Sequence, residues 1–136
     1  MKTFHKDKSN MKWITADMTK LKDFFDPNSF DIVIDKAAMD ALMCDEGDVW
    51  SPKAHVMAQA TQMCTGISTV LNPGGYFLQI SFSQPHFRRK YLLHEPLNNT
   101  DADQSDFYGW TLKHHEISIG LGYFFYALHI DKNIVP

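Results

Sequence analysis

The chain has 136 residues, 44% of them apolar and 13% aromatic, enough for one domain with a real core and too few for two. A formal charge of −3 without a basic block leaves no footprint for a nucleic-acid backbone. No apolar run approaches the roughly 20 residues needed to span a bilayer, so neither nucleic acid nor membrane is an expected partner.

Residues 1–10 (MKTFHKDKSN) are polar and lysine-rich, with no apolar signal core. Cys44 and Cys64 have neither CxxC spacing nor a framework count, which suits buried thiols in a reducing compartment. The expected location is the cytoplasm, and Asn98-Asn99-Thr100 is then a chance sequon. Met11 to Thr15 alternates and predicts a short strand that stops at Ala16-Asp17-Met18. Leu21, Phe24 and Phe25 anchor a loop, and Asp26-Pro27-Asn28-Ser29 is a turn signal.

The stretch FDIVIDKAAMDAL, Phe30 to Leu42, organises the rest. Its first six residues are largely apolar and β-branched, as in a strand covered on both faces within a parallel sheet. Asp35, Lys36 and Asp40 follow at its carboxyl end, where ligands sit in open α/β sheets. Ala37 to Met43 reads as one helical turn with Met39, Leu42 and Met43 inward. Ser51-Pro52 predicts a helix start, and Val56, Ala60, Met63, Cys64, Ile67, Val70 and Leu71 recur at helical spacing. Asn72-Pro73-Gly74-Gly75 ends that helix, and Tyr76 to Phe82 is the next strand. Strand, helix and strand in succession make a crossover unit with a parallel pair.

Gln84 to Leu93 reads as a mixed loop with one helical turn at most, its Arg88-Arg89-Lys90 a solvated face. Residues 98–106 read as an acidic surface loop. Phe107 to Ile117 and Tyr123 to Ile130 predict an antiparallel pair joined through Gly120-Leu121-Gly122. No GxGxxG, GxxxxGK[ST] or GxSxG occurs. His114 and His115 are adjacent on a strand and face opposite ways, so they cannot share a metal, and no metal site is expected. Asp17, just past a strand end, is either a capping carboxylate or an acceptor for an exocyclic amine.

The order WITAD, FDIVIDKAAMDAL, VLNPGGYFLQISF, PHFRRKYL, YGW and a closing strand pair resembles the seven-strand, S-adenosylmethionine-dependent methyltransferases. Within them it is similar to the methyltransferase-like enzymes that methylate lysine on elongation factor 1-alpha. The resemblance runs from Met11 to Ile130 and implies an α/β, Rossmann-like methyltransferase sheet: parallel strands with crossover helices and a C-terminal antiparallel pair. Residues 11–35 would be the family's third and fourth strands, 51–82 the crossover helix and fifth strand, and 107–130 the closing pair.

The resemblance implies S-adenosylmethionine as cofactor, with Asp17 and Met18 at the adenine, and Asp35, Lys36 and Ala37 beside its methionine part. Asp35 and Lys36 would also face the incoming lysine. Asp40, Trp50, His86, Phe87, Tyr108 and Trp110 would form the rim for a protein substrate of the elongation factor 1-alpha type. The family usually has glycine and threonine where Ala37-Ala38 stand. Its glycine-rich first-strand loop and second-strand carboxylate have no counterpart in Met1 to Asn10. The expectation is therefore a single partial domain over 1–136, truncated at its N-terminus, with Phe30–Asp35 as a sheet edge open to self-association. The alternative is a non-catalytic isoform or fragment serving as a protein-binding module.

Overall fold

The computed structural model describes residues 10–44, 47–48, 51–94, 103–117 and 122–130. Strands β1 (Phe30–Lys36), β4 (Leu71–Ser81), β5 (Gln104–Ser105), β6 (Trp110–Ile117) and β7 (Tyr123–Ile130) form one sheet, in the order β1-β4-β7-β6-β5. The β1–β4 pair is parallel and the other pairs are antiparallel. The chain passes from β1 to β4 through helix α1 (Ala38–Met43), a two-residue hairpin of β2 (Gly47–Asp48) with β3 (Ser51–Pro52), and helix α2 (Ala54–Val70). This is the expected crossover, and the closing antiparallel pair is also as expected.

One face of the sheet holds the core. Phe77 of β4, Trp110 and Leu112 of β6, and Tyr126 and Leu128 of β7 are buried with Val56, Ala60, Met63, Cys64 and Ile67 of α2. All five predicted α2 positions in that set therefore lie inward, each large one contributing about 1.5–3 kcal/mol through burial. Met39 and Met43 of α1 join them, with Leu42 packed at the margin. The opposite face is barer: Ile32, Ile34 and Tyr76 are all substantially exposed.

Several local expectations differ from the structure; β4 begins at Leu71, ahead of the expected Tyr76, and Gln104–Ser105 pair as β5 where a surface loop was expected. Residues 11–16 adopt no strand; alternation patterns a strand, but only a ladder partner stabilises one, and Met11, Trp13 and Ile14 stay exposed. Helix α2 begins at Ala54 behind an extended Lys53, because Pro52 biases Ser51 toward extended backbone and both join the hairpin. The region after Gln84 is a nine-residue helix, α3 (Pro85–Leu93), with proline in its first turn. Its apolar period is concealed by Arg88 and Lys90, which are buried and not a solvated face. Strand β6 starts at Trp110, after a turn in which Gly109 takes φ +76°. Gly120 and Leu121, expected in the link between the two closing strands, lie outside the described residues.

Candidate functional site at the carboxyl ends of β1 and β4

Parallel pairing sets Asp35 beside Gln79 and Lys36 beside Ile80, so β1 and β4 end together. Asp35 is buried, and its carboxylate accepts from Ala38 N (2.6 Å), Met39 N (3.2 Å) and Gln79 Nε2 (2.8 Å). Two of these donors are first-turn amides of α1, which a helix cannot satisfy internally. Asp35 is thus a helix-capping carboxylate. Lys36 is exposed, and no ion pair joins it to Asp35 among the described residues. Ala37 makes the corner between β1 and α1 at φ 65°, ψ 9°, a left-handed conformation that glycine adopts more easily.

Asp40, one turn further, ties three elements together. It accepts from Ser81 Oγ (2.5 Å), Phe82 N (3.1 Å) and Arg88 Nη2 (2.6 Å). The Asp40 and Arg88 side chains are 19% and 2% exposed. Among the described residues, Arg88 Nε and Nη1 are buried without a hydrogen-bond partner. An open pocket of about 280 Å³ is lined by Asp40, Met43, Cys44, Phe82, Ser83 and Arg88. The Phe82 ring leans on Tyr123, centroids 4.1 Å apart, and the Tyr126 hydroxyl donates to Ser83 O, fixing the same loop.

Asp17 is exposed in a turn closed by Lys20 N donating to Asp17 O (2.9 Å). Its carboxylate accepts from Thr19 Oγ1 (2.7 Å) and Thr19 N (2.9 Å). These bonds, the hydroxyl's first, lower its pKa from the ordinary aspartate value. Met18 packs against the core margin.

The structure groups Asp35, Lys36, Ala37 and Asp40 at one strand end and leaves other predicted residues elsewhere. His86 is exposed on the first turn of α3, 4.0 Å from the Phe87 ring. Trp110 is fully buried, donates from Nε1 to Leu92 O (2.7 Å) and packs on Phe77 and Tyr108. Tyr108 is buried as well. Neither ring is on the rim that the resemblance implies; both pack in the core. Trp50 lies outside the described residues. Sequence reasoning missed Gln79 and Arg88 as polar anchors, although a glutamine within YFLQISF is a visible break in an apolar strand.

No family model matches the chain. It is 29% identical over 120 residues to EEF1A lysine methyltransferase 4 of Mus musculus, covering 88% of this chain and 42% of that protein. The chain therefore spans less than half the length of that relative. Among solved structures, a chain of the complex between the Haloferax volcanii Trm112 activator and a methyltransferase superposes with TM-score 0.52 at 12% identity. That match covers 93% of this chain and 66% of the other. A SAM-dependent methyltransferase from Methanosarcina mazei gives 0.50 at 15% identity, with 88% and 66% covered. The resemblance read from the motifs is borne out, and the fold is that of the SAM-dependent methyltransferases.

Proposed function

We propose that this chain carries the substrate-facing part of an S-adenosylmethionine-dependent protein-lysine methyltransferase that acts on a substrate of the elongation factor 1-alpha type in the cytoplasm. The observation that supports it most is the shared end of β1 and β4, where Asp35, Lys36, Ala37 and Asp40 meet beside the Phe82–Ser83 loop. Ligands in open α/β sheets occupy this position.

On this reading the described residues would line one side of the cofactor. Asp17, exposed and with a lowered pKa, offers an acceptor to the adenine amine, with Met18 beside it. Lys36 and Ala37 would lie along the methionine part. When bound, the cofactor supplies an activated methyl group on a sulfonium. The chain's own contribution is positional: Asp35 fixes the β1–α1 corner, Asp40 and Arg88 fix the loop after β4, and Phe82 offers an aromatic wall to an incoming side chain. Buried Tyr108 and Trp110 belong to the core on this reading, while His86 and Phe87 remain candidates for the protein-facing rim.

Incubation of the chain with tritiated S-adenosylmethionine and elongation factor 1-alpha tests the activity. Label in lysine, lost in Asp17→Ala, is the expected result. A folded chain that transfers none would favour the protein-binding module instead.

A further inference from the structure

One strand, β7, holds the loop after β4 from both faces of the sheet. Phe77, Gln79 and Ser81 of β4 are buried on the core face, so Phe82, next in the alternation, turns to the barer face. There it is 54% exposed, with its ring against Tyr123. The register pairs Ser81 with Phe124 and Gln79 with Tyr126. Tyr126 lies three residues beyond Tyr123 and so on the other face, where it is fully buried. From the core side its hydroxyl reaches the strand end and donates to Ser83 O.

The other hydrogen bonds of this loop run through one carboxylate. Asp40 accepts from Phe82 N and from Ser81 Oγ, and Ser81 Oγ accepts in turn from Ser83 N (3.0 Å). These bonds hold the amides of the loop. Among the described residues, Tyr126 is the group that holds its carbonyl. A phenylalanine ring would fill the same core space but leave Ser83 O without this donor. Phe82 and Ser83 both line the pocket that Asp40, Met43, Cys44 and Arg88 complete, so the Tyr126 hydroxyl sets one wall of it.

We propose that Tyr126 is a positioning residue for methyl transfer: it fixes the Phe82–Ser83 wall against which the side chain of the target lysine is aligned. This rests on the function proposed above. Tyr126 touches no reacting atom and acts through Ser83 O alone. A shift of such a wall by about 1 Å is enough to cost on the order of a hundredfold in rate. Because the donor stands on a packed strand and not in the loop, the wall is in place before the substrate arrives.

Tyr126→Phe tests this with two readouts. In the tritiated methyl assay on elongation factor 1-alpha, kcat should fall about tenfold or more, with KM for the protein within about twofold. S-adenosylhomocysteine should bind the variant as tightly as the parent chain. In hydrogen exchange, the Phe82 and Ser83 amides should exchange about tenfold faster or more, while those of Phe77 and Leu78 in the centre of β4 keep their protection. An active variant with unchanged kcat overturns the proposal, and so do Phe82 and Ser83 amides that exchange as in the parent. Protection lost along all of β4 would make Tyr126 a general support of the sheet and overturn it too. A parent chain that transfers no methyl group fails the proposed function instead, and the exchange rates still decide whether Tyr126 fixes the wall.

Discussion

Asp40 Oδ1 and Arg88 Nη2 lie 2.6 Å apart in a largely desolvated ion pair that binds α1 to α3 across the end of β4. Arg88 is 2% exposed, so its charge has little water to fall back on if Asp40 is removed. Losing one partner of such a pair costs about 3 kcal/mol or more, because the other charge stays buried. Asp40→Ala should therefore lower the unfolding free energy by that amount in urea denaturation, with Asp40→Asn milder because it keeps an acceptor. A loss under about 1 kcal/mol, the range of exposed pairs, would refute the anchoring role.

Ala37 offers a test of opposite sign. Its φ of 65° places a Cβ in the left-handed region, at a penalty of roughly 1–2 kcal/mol against glycine. Ala37→Gly should stabilise the chain by about 1 kcal/mol in the same denaturation experiment, less the extra entropy of glycine in the unfolded state. Destabilisation would mean that the Ala37 methyl packs productively.

The thiols should separate by reactivity. Cys64 is fully buried, and desolvation pushes its pKa up to about 12, with Arg88 opposing and Asp35 adding to the shift. Cys44 is exposed. A thiol-disulfide reagent at pH 8 should titrate one group in the native chain and two in denaturant. Because the folded pKa of Cys64 lies above its unfolded value of about 8.5, the contribution it makes is full below that pH. It is lost as pH rises toward 12, where the unfolded chain has already released the proton. Burial also raises Tyr108 and Tyr126, so stability should fall steepest above about pH 10. A flat profile between pH 8 and 11 would contradict this burial.

Much of the fold was legible because its signals are local. The inward positions of α2, the parallel β1–β4 pair and the closing strand pair all follow from periodicity and turn residues. What stayed hidden depends on tertiary partners. Met11 to Thr15 has the alternation of a strand, but no ladder holds it. Arg88 reads as surface charge until Asp40, 48 residues away, is brought to it. Tyr108 and Trp110 read as a rim until Phe77 and Leu92 enclose Trp110. At the site, Asp35 was visible as a strand-end carboxylate, but its capping bonds to Ala38 and Met39 required the left-handed turn at Ala37.

The measurement that bears most directly on the proposed function is calorimetric titration of the folded chain with S-adenosylhomocysteine, beside an Asp17→Ala control. Saturable micromolar binding that the control loses is the predicted result. A chain with native circular dichroism that takes up no ligand would contradict a cofactor site at the ends of β1 and β4.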